Sequence, residues 1–281
     1  MVIIIVILLL LCICYVFRIK KSIPNIIHFV FGLKPQENEF MFVYYLSVLS
    51  AYIVNKPDKI YFYYHYKPYG KWWDRLSEKI PIISFEKVEL PDKIGSKNIK
   101  HYAHKADWIR MNKLYERGGI YMDIDTITCR PYHKYRSFST VLGYEIESKD
   151  LICNAVMMTA PKSPFFKLWL ERYEDEFKED GWGEASIRLP GKINKYYPYL
   201  ANVLSEKTFF RPYATEGEKI FRESININDD LITLHLWESY TMKYMENIKD
   251  FEWIKQNKDT LYSKIVLSNI RDSDILKSLL L

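Results

Sequence analysis

"ADWIRMNKLYERGGIYMDID", residues 106–125, is the stretch that decides the fold of this chain. Trp108, Met111 and Tyr115 recur at helical spacing, and Gly118–Gly119 supply the stop of a helix predicted over residues 104–119. The apolar run that follows at once is typical of a buried strand. Helices that alternate with buried strands in short units are typical of an α/β fold.

Two aspartates, Asp123 and Asp125, interrupt the apolar residues of this predicted strand. Side chains alternate between faces along a strand, so we expect both carboxylates and Tyr121 on one face. Buried carboxylates are costly unless they are paired. Two that converge can bind Mg²⁺ or Mn²⁺ together with substrate phosphate oxygens. The alternative is a strand end where both aspartates meet solvent or cap the next turn.

Three further side chains are candidates for the same site. Asp107 and Arg110 lie one turn apart on one face of the predicted helix, where they could reach the aspartates or form a surface ion pair of little energy. His235 lies in the apolar strand "LITLHLW" (231–237), where a neutral imidazole could complete a metal site or be a hydrogen-bonded core residue.

The rest of the chain alternates predicted strands and helices. Strands are predicted at residues 23–31, 59–66, 83–90, 139–145 and 152–160, and helices at 39–54 and 163–177. Ser163 is the expected N-cap of the last of these, and residues 241–281 are expected to be mostly helical. This order predicts an α/β sandwich with a mainly parallel sheet, whose ligands bind at the carboxyl ends of the strands.

The first 17 of the 281 residues, "MVIIIVILLLLCICYVF", carry no charge. Their length and composition predict a retained transmembrane anchor, followed by a basic juxtamembrane segment (18–22) and one catalytic-sized domain (23–281). The basic flank favours a cytoplasmic domain, and a luminal type II arrangement is the alternative. The sequence thus predicts a single-pass membrane protein.

The formal net charge of +5 comes from basic residues spread over the whole chain. Such an excess suits anionic ligands, such as nucleotide diphosphates or a lipid surface. It lacks the concentrated basic stripe that is typical of nucleic-acid-binding proteins, so we expect no nucleic acid partner.

The stretch 106–125 resembles the signature of the DXD sugar transferases, glycosyltransferase family 32 and its relatives. These include yeast-type initiating mannosyltransferases, α-1,4-galactosyltransferases and the catalytic domain of the large glucosylating toxins. The matching positions are Ala106, Asp107, Arg110, Leu114, Gly118, Gly119, Tyr121, Asp123 and Asp125. Three further segments are similar in the same order: "IPNIIHFVFG" (23–32), "CNAVMMTAPKSPFF" (153–166) and "HLWESY" (235–240).

The resemblance implies a GT-A fold and retaining transfer of a sugar from a nucleotide diphosphate donor. It implies that Asp125 binds a divalent metal, Mn²⁺ or Mg²⁺, and that Asp123 contacts metal-site water and the donor. Asp107 and Arg110 would hold the hydroxyls of the donor sugar, and Tyr121 would support that pocket.

The resemblance also implies a wider set of nucleotide-sugar-binding residues. They are His28, Phe31, Ala106, Tyr121, Asn154 and Ser239. Phe31 stands where the toxin branch has a tryptophan that stacks on uracil. His235 is expected among the metal ligands, together with Asp123 and Asp125.

The sequence therefore predicts a membrane-anchored, metal-dependent glycosyltransferase with a glycan, glycolipid or protein acceptor. One alternative is a non-catalytic, membrane-anchored carbohydrate-binding protein. The other is a phosphatase of the haloacid-dehalogenase type, in which Asp123 would be the nucleophile and Asp125 an acid/base.

Overall fold

The computed structural model describes residues 22–271, with side chains described as far as residue 269. The strands of this part are β1 (Ile26–Val30), β2 (Lys59–Tyr64), β3 (Ile83–Lys87), β4 (Lys93–Ile94), β5 (Lys97–Asn98), β6 (Gly119–Met122), β7 (Thr126–Thr128), β8 (Thr140–Tyr144), β9 (Ile152–Thr159), β10 (Asn202–Leu204) and β11 (Thr233–His235). Its α-helices are α1 (Phe42–Asn55), α2 (Lys71–Lys79), α3 (Tyr102–Arg117), α4 (Pro164–Glu176), α5 (Leu189–Tyr196), α6 (Glu218–Arg222), α7 (Glu238–Met245), α8 (Phe251–Gln256) and α9 (Leu261–Arg271).

Seven strands form one central sheet in the order β10-β8-β9-β6-β1-β2-β3. Strand β9 runs antiparallel to both of its neighbours, and the other neighbouring pairs are parallel. One core cluster includes residues of α1 and α9, and a second includes residues of α3 and α4, so helices cover both faces of the sheet. This architecture fits the predicted GT-A-type sandwich with a mainly parallel sheet.

The two glycines between α3 and β6 form a joint with no room for a side chain. Gly118 and Gly119 have φ angles of 65° and 110°, in the region that favours glycine. A Cβ atom on Gly119 would lie 2.6 Å from the carbonyl oxygen of Ile26 and 2.8 Å from Nε2 of His28. The joint lets α3 pass directly into a strand that pairs with β1.

The two aspartates of the DXD motif lie after β6, not in it. The strand ends at Met122, and Asp123 and Asp125 belong to the short connection to β7. The hydroxyl of Thr126 donates to the carbonyl oxygen of Asp123 at 2.7 Å, a bond typical of a tight turn. The expectation that strand alternation puts both carboxylates on one face is therefore wrong, and the turn sets their positions instead.

No helix within residues 22–271 is long and apolar enough to cross a membrane. The longest of them, α3, has 16 residues and carries charged side chains, whereas a span needs about 20 apolar residues. The predicted anchor over residues 1–17 lies outside the described residues. The prediction that a transmembrane helix precedes the domain, and with it the single-pass membrane localisation, is therefore corrected: the described fold contains only the α/β domain.

Candidate active site

The candidate site lies at the edge of the sheet where β6 ends. The connection from β6 to β7 supplies Asp123 and Asp125, and α3, β9 and the β11–α7 connection surround it. Two groups of side chains meet there. The paired side consists of Asp107, Arg110, Tyr121, Asp123 and Asn154, and the open side consists of Asp125, His235 and Glu238.

Arg110 is the centre of the paired side. Its Nη1 lies 2.9 Å from Oδ1 of Asp123, and its Nη2 lies 3.6 Å from Oδ1 of Asp107. The guanidinium carbon lies 4.6 Å from the centroid of the Tyr121 ring. Burial lowers the pKa of Arg110, but Asp123, Tyr121 and Asp107 together outweigh that effect and raise it, and the guanidinium stays charged. One cation thus ties the helix and the strand end together.

Tyr121 and Asn154 complete the hydrogen bonds of the paired side. The Tyr121 hydroxyl donates to Asp123 at 2.5 Å, and Nδ2 of Asn154 donates to Asp107 at 2.7 Å. Nη1 of Arg110 donates to the backbone carbonyl of Asn154 at 3.2 Å. β9 has an irregular register against β8 in the part that contains Asn154. Such bulges are frequent next to active sites, where they redirect a side chain.

Asp125 anchors the open side. Its Oδ2 accepts the backbone N–H of Glu238 at 2.7 Å and lies 3.3 Å from Nε2 of His235. Its own carbonyl oxygen accepts the N–H of Leu236 at 2.8 Å. Trp237 has a φ angle of 61°, which is uncommon for a side-chain-bearing residue. This left-handed residue is the N-cap of α7, whose first N–H bonds Asp125.

The charges of the open side are less well balanced. Burial raises the pKa of Asp125, but His235 and the N–H of Glu238 outweigh burial and lower it. Burial lowers the pKa of His235, but Asp125, together with Asp123 and Glu145, outweighs that effect and raises it. Burial, with Asp125 beside it, raises the pKa of Asp123, and Arg110 opposes this. The pocket therefore holds more carboxylates than the described cationic groups neutralise.

Glu238 and Tyr44 are site residues that sequence reasoning missed. Burial and the charge of Asp125 raise the pKa of Glu238 to about 7, and its carboxyl is hydrogen-bonded to the hydroxyl of Tyr44. Glu238 could have been found from the sequence, because it is an acidic residue only three positions after the candidate ligand His235. Tyr44 belongs to an apolar face of α1, where the sequence offers no signal for its contact with Glu238.

A divalent cation fits the donor atoms of this site. One ligand atom each of Asp123, Asp125 and His235 lie within 4.8 Å of one another. Nδ1 of His235 is buried and has no hydrogen-bond partner among the described residues. Carboxylate oxygens are ligands that Mg²⁺ and Mn²⁺ prefer, and imidazole nitrogen is a common metal ligand. A cation would also offset the excess of negative charge.

The remaining predicted donor-binding residues lie at different distances from this centre. Phe31 packs against Tyr44 with ring centroids 5.0 Å apart, so it lies near Glu238. The carbonyl oxygen of Ala106 accepts a hydrogen bond from Nε of Arg110 at 3.4 Å. Ser239 is exposed in the first turn of α7. Their contacts with a donor stay predictions.

His28 is a predicted site residue whose two ring nitrogens both have partners within the fold. Nε2 lies 2.8 Å from the carbonyl oxygen of Gly118, and Nδ1 lies 3.0 Å from the hydroxyl of Tyr63. The ring is buried, and burial lowers its pKa to about 4. In this structure His28 supports the joint between α3 and β6, and its contact with a donor also stays a prediction.

Two solved glycosyltransferases have a chain path similar to this one. The apo form of GlyE from Streptococcus pneumoniae has a TM-score of 0.48 at 12% identity, over 83% of this chain and 64% of that chain. The galactosyltransferase LgtC, in complex with donor and acceptor sugar analogs, has a TM-score of 0.45 at 15% identity, over 90% of this chain and 96% of that chain. Both scores are below 0.5, so the family assignment rests on sequence.

Residues 44–142 match the model of a family described as "glycosyltransferase sugar-binding region containing DXD motif". That span contains Asp107, Arg110, Asp123 and Asp125. Glucan organizing enzyme 1 of Cryptococcus neoformans var. grubii is 32% identical to this chain over 270 residues, which are 90% of this chain and 72% of the relative. The chain therefore belongs to the DXD-containing glycosyltransferases and is an enzyme of that family.

Proposed function

We propose that this glycosyltransferase is metal-dependent and moves a hexose, with retention of configuration, from a UDP- or GDP-linked donor to a glycan, glycolipid or protein acceptor. The observation that carries the proposal is the meeting of two different groups at one edge of the sheet. One is the donor set Asp123, Asp125 and His235, and the other is the ion pair of Asp107 and Arg110.

The paired side suits the sugar and the developing charge. Sugar hydroxyls both donate and accept hydrogen bonds, so a carboxylate and a guanidinium held side by side can bind one. Asp107 is positioned by Asn154, and Arg110 by Asp123 and the face of Tyr121, so neither has to find its orientation when the donor binds. Arg110 also places a permanent charge near oxygens of the leaving group.

The donor set suits a diphosphate. A cation held by Asp123, Asp125 and His235 would neutralise charge that develops on the diphosphate leaving group as the glycosidic bond breaks. The chain's own part is to hold the ligands: the N–H of Glu238 fixes Asp125, and Tyr121 fixes Asp123. Neither oxygen is left free to rotate away from the pocket.

Membership of an enzyme family favours this proposal over both alternatives from the sequence. In the phosphatase alternative Asp123 would attack phosphorus, yet its Oδ1 is hydrogen-bonded by Tyr121 and paired with Arg110, which lowers its nucleophilicity. The non-catalytic alternative would not require the buried, fully oriented pair of Arg110 and Asp123. The relative's name links that protein to glucan, which agrees with a glycan acceptor here.

The test is hydrolysis of nucleotide sugars by the purified protein, with UDP- and GDP-sugars screened in Mn²⁺, in Mg²⁺ and in a chelator. We expect turnover that depends on the cation and falls at least about a hundredfold in Asp125→Asn, since one anionic ligand is lost. Asp229→Asn, an exposed aspartate outside the site, is the matched control and should keep wild-type turnover. Near-normal turnover in Asp125→Asn, or full turnover in chelator, would contradict metal dependence.

A further inference from the structure

Trp182 is an exposed aromatic side chain that the proposed donor chemistry does not use. All seven tryptophans of the chain lie within the described residues, and Trp182 alone is exposed, with 66% of its surface accessible. It belongs to the segment "GWG" (181–183), which precedes the π-helical turn Glu184–Arg188. An exposed indole offers a flat apolar face with a polar N–H edge, which suits a ligand that has both apolar and polar surfaces.

The loop that carries Trp182 is held by a dense set of hydrogen bonds. The β4–β5 hairpin and the residue pair after it dock on the end of α4 and on the loop. The contacts are Lys97 Nζ to the carbonyl oxygens of Glu174 (2.5 Å) and Phe177 (2.8 Å), Ser96 N–H to the Glu174 carboxylate (2.7 Å), Asn98 N–H to the Glu179 carboxylate (2.8 Å) and Lys100 Nζ to the Asp180 carboxylate (2.8 Å). The ring is therefore presented on a fixed backbone.

The glycine after Trp182 is required by this backbone, because Gly183 has a φ angle of 81°. A preordered loop keeps the entropic cost of binding low, because its conformation is already set before a ligand arrives.

Trp182 faces the helix that supplies the donor pocket. Its ring centroid lies 5.9 Å from that of His104, in the first half of α3. His104 and Asp107 are three residues apart and therefore lie on one face of the helix, one turn from each other. Such Cβ atoms are about 5–6 Å apart, so the indole lies on the order of 10 Å from the side chain of Asp107.

Two charged side chains lie close to Gly181, the residue before Trp182: a Cβ atom there would be 2.5 Å from Oε2 of Glu184 and 2.8 Å from Cβ of Lys178. Nζ of Lys178 lies 4.0 Å from Oε1 of Glu184, and both side chains are partly exposed, with 69% and 26% of their surfaces accessible. A carboxylate that accepts, an ammonium that donates and an aromatic ring on one segment match the hydroxyl groups and the apolar face of a sugar ring.

We propose that Trp182 is the stacking platform for one sugar ring of a saccharide acceptor, with Glu184 and Lys178 hydrogen-bonding its hydroxyls. The inference rests on the proposed transfer reaction, because it places the acceptor chain beside the donor sugar held at Asp107. It names the acceptor class as a saccharide of at least two rings: one at the donor pocket and one on the indole.

The test is isothermal titration calorimetry of the purified protein with three neutral hexasaccharides, β-1,3-linked glucose, α-1,6-linked mannose and β-1,4-linked N-acetylglucosamine. At least one should bind saturably to the wild type and about tenfold more weakly to Trp182→Ala, with part of the affinity kept in Trp182→Phe. Tyr196→Ala removes another exposed ring, on α5, and is the matched control that should bind as the wild type does.

Two outcomes would overturn the inference. One is equal affinity of the wild type and Trp182→Ala for every saccharide that binds, and the other is no saturable binding to any of the three. Tryptophan fluorescence in the same titration gives the location, since quenching should be lost in Trp182→Ala while the other six tryptophans keep their signal. The titration needs neither donor nor cation, so its failure is separate from a failure of the donor-hydrolysis test.

Discussion

The two sides of the candidate site are built in opposite ways. On the paired side, Asp107 and Asp123 each contact Arg110 and also accept a hydrogen bond from a second side chain. On the open side, Nδ1 of His235 is buried without a partner among the described residues, and burial with the charge of Asp125 raises the pKa of Glu238 to about 7.

This difference separates what the fold completes from what a ligand must complete. A buried network in which every member is paired is rigid before the substrate arrives, which suits recognition of a neutral sugar. A buried group of acids with too few cations is stable only when it binds protons or a metal. The comparison therefore predicts that the paired side responds to mutation, and the open side to pH and cations.

The largest expected effect is that of removing the positive charge of Arg110 on the paired side. Arg110→Ala would leave Asp107 and Asp123 buried without their charge partner, so we expect a loss of about 3–5 kcal/mol in the free energy of unfolding. Urea denaturation measures it. Lys192→Ala removes an exposed partner 2.7 Å from Glu176 and should cost less than about 1 kcal/mol. Similar losses in the two variants would mean that the paired side is not a cooperative network.

A second prediction concerns the buried base beneath the paired side. Burial lowers the pKa of His28 to about 4, whereas the unfolded chain titrates near 6.5. Between these values the unfolded chain binds a proton that the folded chain does not, so stability is lost as the pH falls from 6.5 to 4, by about 3 kcal/mol. The free energy of unfolding, measured by urea denaturation across this pH range, should depend less steeply on pH in His28→Gln than in the wild type. An equal pH dependence in the two proteins would contradict a neutral, buried His28.

A third prediction concerns the cation of the open side. A cation that binds only the folded protein adds about 2.7 kcal/mol at a concentration one hundred times its Kd. Mn²⁺ or Mg²⁺ should therefore raise the Tm of the wild type in a concentration-dependent way and leave that of His235→Ala nearly unchanged. His133→Ala, a histidine outside the site, should respond as the wild type does. An equal rise in His235→Ala would exclude His235 as a ligand.

The sequence carried enough information for the core of this arrangement. Helical periodicity and the two glycines predicted α3 and its direct passage into β6, and Ser163 is the N-cap of α4, as its position before Pro164 predicted. These features depend on neighbours in sequence. The position of the DXD aspartates in a turn was missed, because an apolar run with interspersed acids has the same pattern in a strand and in a strand that ends early.

Contacts between segments that are distant in sequence could not be predicted from local sequence patterns. The hydroxyl of Tyr44 meets Glu238 across nearly two hundred residues, and the bulge in β9 that accompanies Asn154 depends on its register against β8. The contact between the His28 ring and the carbonyl oxygen of Gly118 joins residues ninety positions apart. In each case the tertiary environment chose the partner of a polar group, and local sequence does not record that choice.

The smallest expected effect isolates Glu238 on the open side. Its pKa is raised to about 7 in the folded protein, chiefly by burial, and the unfolded value is 4.5. Between these values the folded chain binds the extra proton, so the stability of the metal-free protein should fall as the pH rises from about 4.5 to about 7. Because the side chain is partly exposed, the loss is on the order of 1 kcal/mol.

Glu238→Gln removes this titration while it keeps the size of the side chain and the backbone N–H that bonds Asp125. His235, whose pKa is also raised, contributes a fall of the same sign, so the test is the difference between the wild type and Glu238→Gln in chelator. A weaker dependence of stability on pH in the variant would support an excess of carboxylates over cationic groups on the open side. An identical profile would mean that Tyr44 and the N-terminal turn of α7 already compensate the Glu238 charge, and the two sides would then differ in geometry but not in electrostatics.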